Sequence, residues 1–298
     1  MFEVIFQNSV FLVRAYLYLF ARILFFGIAI GLSLKGLYAE KDCEKSVCSY
    51  FEKTSKSEYK IFIQNKNLYP VSIRLELKLI NMTTTLPAPY RTVVSAQTET
   101  SIITLMQDKP GQKFKWNYKW WWKSGSFQQR PDYNFVYRLP GTAGTEMYVS
   151  QGYNGTFTHN GEFNKYSLDF KMDEGTPIHA ARGGLVVNVV NHYTEGGVGE
   201  QFKNKQNMIS ILHDDGTFGE YLHLKENGAI VQEGQKVKTG DLIGYSGNTG
   251  YSSIPHLHFH VNHLQSDFNR NRIKTLFKAG GQIKPVYLQK QTRYTVVE

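Results

Sequence analysis

Period-two alternation of apolar and polar residues, glycine-rich turns between short runs, and no long stretch of helical periodicity predict an all-β protein. The length of 298 residues suits two domains of ordinary size. The expected architecture is a small N-terminal β-sandwich followed by a second unit of short strands. Hydrophobic residues make up 41% of the chain and charged residues 20%, enough apolar material for a real core.

Taken in order, the first element reads as an address. Arg14 and Arg22 precede the apolar stretch Ile23–Leu34, which is long enough for a signal-peptide core and short of the ~20 residues a spanning helix needs. Ala39 is an acceptable last residue before cleavage, although Leu37 is large for its position. Residues 1–39 are therefore expected to be a signal peptide or a retained N-terminal anchor, with the body of the protein exported; the anchor reading leaves membrane association through 1–39 open. Residues 40–56 are expected to be a linker carrying Cys43 and Cys48, the only cysteines. Two thiols without a nearby histidine are too few for a metal site; a small disulfide loop in an oxidising compartment and two free thiols both remain open.

Strand patterns begin at Tyr59. Tyr59–Gln64 (YKIFIQ) and Val71–Leu79 (VSIRLELKL) alternate, with turn-rich pieces at Asn65–Asn67 and Leu86–Pro89, and further strands are expected at Thr98–Leu105 and Phe114–Trp122. Residues 57–125 are read as one sandwich. The run Trp116–Lys123 (WNYKWWWK) suits stacking on sugars or a membrane interface, or more simply alternating core and rim aromatics on one strand. Residues 126–138 read as a connector. Short strands then follow at Ile178–Asn188, Asn207–Leu212, Phe218–Leu224, Ala229–Val231, Leu242–Tyr245 and His256–Val261. Residues 139–262 form the second unit, with 263–298 as a C-terminal extension.

Charge narrows the function. Lys and Arg number 34 against 25 Asp and Glu, a net +9, yet residues 140–262 carry 8 basic and 13 acidic side chains, or −5, leaving +14 elsewhere. A nucleic-acid binder concentrates basic charge on its working module, and here that module is acidic. Nucleic acid is not an expected partner; the basic flanks suit an anionic surface such as a cell wall or phospholipid.

All nine histidines lie between His159 and His263. His256, His258 and His260 stand at i, i+2 and i+4, so on a strand they share a face while Leu257 and Phe259 enter the opposite layer. Three aligned imidazoles after a glycine-rich loop point to metal binding or proton transfer. Upstream candidates are His159, Asp169 with nine residues between them, and His223, which on a regular strand shares a face with Tyr221.

Four ordered elements carry a family resemblance: QGYNGTFTHNGEFNKYSLDF, EGTPIHAARGGLVV, ISILHDDGTFGEYLHL and GAIVQEGQKVKTGDLIGYSGNTGYSSIPHLHFHV. From about Val149 to Val261 the chain resembles the LytM-type zinc metalloendopeptidases, the M23 peptidases that cut peptidoglycan peptides. The resemblance implies that 139–262 is a LytM-like antiparallel β-sheet or barrel-sandwich catalytic domain. It implies one Zn²⁺ per chain on His159, Asp169 and His258, with His223 and His256 as catalytic histidines that do not bind the metal, and peptidoglycan peptide as the partner. Many members space the first His and Asp more closely, and many carry Glu where His260 stands; His260 reads either as a support behind the ligands or as a hydrogen-bonded face residue. His179, His192, His213 and His263 match no functional position. The polar loop 193–204 falls where the family often flanks its groove, and reads as a substrate gate or as a hairpin tip. The Gly228–Gly247 element also resembles biotinyl and lipoyl carrier hairpins but lacks their lysine tip. Because all five site positions are filled, an active enzyme is expected; the alternatives are a catalytically silent LytM-like regulator of another wall hydrolase and an exported peptidase acting on a different protein.

Overall fold

Residues 41–156 and 158–298, which this computed structural model describes, are built from strands, with one 3₁₀ turn at Glu200–Phe202 among them. The expected signal or anchor at 1–39 lies outside the described residues. No described helix is long and apolar enough to cross a membrane. The all-β expectation holds.

The chain divides into two compact units. One comprises residues up to Ile63 with Lys78–Pro87 and Thr100–Asn117; the other comprises Gln64–Leu77, Ala88–Glu99 and Tyr118–Glu298. In the first, Asp42–Glu44 and Val47–Lys53 form a hairpin in which Cys43 faces Cys48, and the two are joined as a disulfide. The segment expected as a linker, 40–56, is thus sheet, with Val47, Cys48, Ser49 and Tyr50 buried. A run of consecutive buried residues lacks the alternation that marks a strand in sequence. The hairpin begins a five-stranded sheet that continues through Glu58–Asn65, Thr98–Gln107 and Met82–Thr84. Ile61, Ile63, Ile103 and Leu105 are its inward residues.

In the second unit, residues of Val71–Ile80, Arg91–Val94 and Lys115–Ser124 make a three-stranded sheet. Burial alternates strictly along Lys115–Ser124: Trp116, Tyr118, Trp120 and Trp122 are half-buried, while exposed Trp121 has the Arg74 guanidinium 5.6 Å from its ring. The aromatic run thus lies on a strand whose half-buried aromatics alternate with exposed positions, Trp121 among them.

The rest of the second unit is organised by an eleven-stranded sheet. Its main path runs Lys236–Val237, Gly184–Val190, Asn207–Leu212, Phe218–Ala229, His256–Leu264, Ser167–Lys171, Glu146–Gln151 and Thr292–Thr295. Neighbours are antiparallel. One face is the core: Leu168, Phe170, Tyr221, Leu257, Phe259 and Val261 are essentially inaccessible, and each large apolar side chain so buried contributes ~2 kcal/mol. The expected connector and C-terminal extension both join this unit. Val136–Arg138 pairs in parallel with Leu276–Lys278, and Arg270–Ile273 pairs with the end of His256–Leu264. Tyr137 and Phe277 belong to the same core.

Candidate metal centre

Strand alternation builds the site on the face opposite that core. Asp169 on Ser167–Lys171 is in register with His258 on His256–Leu264, and Leu222 of Phe218–Ala229 faces His258 from the other side. His159 arrives from the loop after Glu146–Gln151. Its Nε2 lies 3.3 Å from Asp169 Oδ1, and His258 Nδ1 lies 2.7 Å from the same oxygen. One ligand atom from each of the three falls within 4.8 Å of the others, and all three residues are buried.

His223 reaches the site by a device that alternation does not predict. Because Leu222 faces His258, a regular strand would turn His223 into the core. The pairing with Asn207–Leu212 slips at this point, so that Asn207 faces Leu224 while Met208 faces Leu222, and His223 takes a left-handed φ of 67°. A bulged, positive-φ residue re-aims its side chain. The expectation that Tyr221 and His223 share a face is therefore corrected: Tyr221 stays in the core, its ring 5.0 Å from that of Phe259 and its hydroxyl accepting from the Ala181 N–H at 2.7 Å. His223 instead stands with its ring 4.7 Å from His256.

Backbone carbonyls, which only accept, fix three imidazoles in one tautomer. His159 donates from Nδ1 to Gly152 O at 3.0 Å, His223 to Thr249 O at 2.7 Å, and His256 to Ile254 O at 2.8 Å. Each presents an Nε2 lone pair to the site. The His256 Nε2 stands 3.8 Å from Asp169 Oδ1, outside the three-residue cluster. Gln151, which no sequence pattern flagged, donates from Nε2 to Asp169 Oδ2 at 2.7 Å and leaves Oδ1 to the histidines.

Electrostatics follow from burial. Desolvation by itself would raise the Asp169 carboxyl, but the His159 and His258 imidazoles packed against it outweigh this and hold the group well below the usual carboxylate range. Burial, with His256 and His258 nearby, pushes His223 down to about 3, and burial likewise takes His258 down to about 3. His223 and His258 are therefore neutral beside a carboxylate at neutral pH. The His159 Nε2 is buried without a hydrogen-bond partner, and two imidazole nitrogens converge with it on one carboxylate oxygen. Orphaned nitrogen lone pairs aimed at a carboxylate fit a cation, and the donor set of two His and one Asp fits a zinc-type metal with an open position.

His159 of the cluster is fully buried, while Asp169 and His258, with His223 and His256, line a groove of about 530 Å³. The loop 193–204 forms part of its wall, contributing Val198 and Lys203. Gly196–Gly197 pairs in parallel with Gly250–Tyr251, and Ser252 N donates to Gly197 O at 3.2 Å. The remaining histidines sit elsewhere: His179 bonds Gly240 O, His213 bonds Gly183 O, His263 bonds Gln129 O, and His192 packs on Tyr193.

An antiparallel β-sheet that gathers His, Asp and His around one point, with two more histidines of fixed tautomer beside them, defines a candidate metal centre. Residues 163–271 match the sequence model of peptidase family M23. The match contains Asp169, His223, His256 and His258, and begins four residues after His159. Among similar proteins, glycyl-glycine endopeptidase ALE-1 of Staphylococcus capitis is 38% identical over 109 residues, covering 36% of this chain and 26% of that protein. Lysostaphin of Staphylococcus simulans is 35% identical over 128 residues, covering 40% and 24%. Peptidoglycan DD-endopeptidase ShyA of Vibrio cholerae is 38% identical over 103 residues, covering 35% and 20%. The chain thus spans about a quarter of the length of the curated relatives it matches. The solved catalytic domain of lysostaphin aligns with 39% of this chain and 78% of that chain, at 32% identity and a TM-score of 0.29.

Proposed function

We propose that the chain is an exported zinc metalloendopeptidase that hydrolyses peptide bonds in peptidoglycan cross-links or stem peptides. One Zn²⁺ would be held by His159, Asp169 and His258. The observation that carries this reading is the gathering of those three residues at one point, with Asp169 and His258 lining one groove beside His223 and His256. Bound there, zinc supplies Lewis acidity and makes water nucleophilic near neutral pH.

The protein's own groups supply the proton chemistry. His223 and His256 present Nε2 lone pairs to the groove, able to accept a proton from attacking water and to deliver one to the departing amine. Their Nδ1–H groups are held by carbonyls, so neither ring can rotate without breaking a hydrogen bond. Cations Lys203, Arg272 and Lys290 line the groove, and Asp169 is the sole carboxylate among its lining residues. That balance suits a peptide carrying free carboxylates, as wall stem peptides do. The Arg22–Ala39 address and the paired cysteines support export to the cell envelope or beyond. The silent-regulator alternative is not favoured, since no site position is missing. Digestion of purified sacculi by the full chain, with mass spectrometry of the released fragments, tests the proposal. New amino termini within wall peptides are expected; intact sacculi after incubation with the zinc-loaded protein would refute it.

A further inference from the structure

Behind the metal centre, and outside the groove lining, lies a continuous buried chain of polar groups. His258 Nε2 is 3.2 Å from His260 Nδ1, His260 Nε2 is 2.9 Å from Glu220 Oε2, and Glu220 Oε1 is 3.2 Å from Arg270 Nη2. Glu220, His260 and Ser167 form one register row across three strands, next to the Leu222–His258–Asp169 row. We propose that Glu220 and His260 are positioning residues that impose the metal-binding tautomer on His258. This inference rests on the metal-centre reading above.

The direction of the bonds carries the argument. Glu220 is an acceptor only. Burial works against its charge, but Arg270 and hydrogen bonds from His260 and Asn262 prevail and hold its carboxyl well below the usual range. Arg270 Nε donates to Asn262 Oδ1, which turns the Asn262 Nδ2 donor toward the same carboxylate, 3.3 Å from His260 Nε2. His260 must then donate from Nε2 to Glu220, so its Nδ1 is left to accept. His258 in turn donates from Nε2 to that Nδ1, and its own Nδ1 carries the lone pair. That lone pair faces Asp169 Oδ1 at 2.7 Å. Two acceptors so close are stable only with a cation between them, and the relay thus aims the ligand atom before any metal arrives. The physical basis is general: an outer partner on the far nitrogen of a ligating histidine fixes its ring and tautomer, and its loss commonly weakens metal binding 10–100-fold.

The test measures Zn²⁺ affinity of the full chain by competition with a chromophoric chelator, and follows the imidazole N–H protons of the zinc-loaded protein by NMR. The unaltered chain should show two solvent-protected Nε2–H signals, from His258 and His260. Glu220→Gln and His260→Leu should each weaken Zn²⁺ binding roughly 10–100-fold and lose or shift these signals. His260→Gln, whose Oε1 can accept from His258 while its amide donates to Glu220, should stay within about threefold of the unaltered affinity. If the unaltered chain takes up no Zn²⁺, the metal-centre reading falls and this inference with it. If it binds Zn²⁺ while folded Glu220→Gln or His260→Leu binds equally well, the relay alone is refuted. Should those variants fail to fold, absence of the two protected N–H signals from the zinc-loaded unaltered chain refutes it.

Discussion

His256 and His258 are two residues apart on one strand face, yet the proposed site gives them different work, so their substitutions should fail differently. The His258 Nδ1 is within 2.7 Å of Asp169 Oδ1, and the ring belongs to the three-residue cluster. His258→Ala removes one of the three proposed ligands and strips a hydrogen-bond partner from buried His260, a loss of ~2 kcal/mol or more in the metal-free protein. It should lose metal and activity together. His256→Ala deletes the donor to Ile254 O at 2.8 Å and the contact with Ser252 Oγ at 3.1 Å. Those lost bonds and a small void at the groove edge cost ~2 kcal/mol, which leaves a folded protein. Zinc should stay near one per chain, while the rate on cross-linked wall peptide falls ~10²–10⁴-fold, equivalent to ~3–5 kcal/mol of barrier. Elemental analysis, thermal melting and turnover on the same preparations separate the two cases. Equal loss of zinc in both variants would overturn the division of roles, and unaltered hydrolysis in both would show that the active site lies elsewhere.

Other consequences can be checked independently. An added Cβ at Gly196 collides with the Asn248 carbonyl oxygen, so Gly196→Ala should cost ~1–3 kcal/mol and disturb the groove wall; peptide turnover should drop while zinc content stays unchanged, and unchanged turnover would show that the wall does not shape the groove. His213 is buried and neutral, pushed down to about 4 mainly by desolvation. Its folded value lies below the unfolded one near 6.5, so its contribution of up to ~3 kcal/mol is complete above that pH and is lost as pH falls toward 4; comparing denaturant stability against pH for the zinc-loaded chain and His213→Asn should show the flatter profile in the variant. The Cys43–Cys48 disulfide closes a loop with a sequence separation of only 5, so reduction should lower stability by ~2 kcal/mol at most and leave the rate on wall peptide intact. A large loss of activity on reduction would contradict that.

Much of this protein was legible in its sequence. Period-two alternation marked Tyr59–Gln64 and Val71–Leu79, which lie within the strands Glu58–Asn65 and Val71–Ile80, and it placed His256, His258 and His260 on one face with Leu257 and Phe259 on the other. The ordered motifs singled out the five residues that the fold brings together. Alternation is a property of neighbouring residues, dictated by the pleat, and needs no knowledge of what the strand pairs with. The hairpin of Asp42–Glu44 and Val47–Lys53, by contrast, is hidden because consecutive residues are buried, and the strands contributed by the connector and by Thr292–Thr295 are held by partners far along the chain. Tertiary structure alone decided who faces whom. Gln151 serves Asp169, and Glu220 serves His260, through cross-strand register; His223 turns to the site because a bulge interrupts alternation. Register and bulges are settled by the sum of pairing and packing across the whole sheet, since a slip of one residue exchanges its two faces. The residue types and spacing determined which chemistry this chain carries, and only the assembled sheet, by bringing distant strands into register, determined which groups hold, aim and surround it.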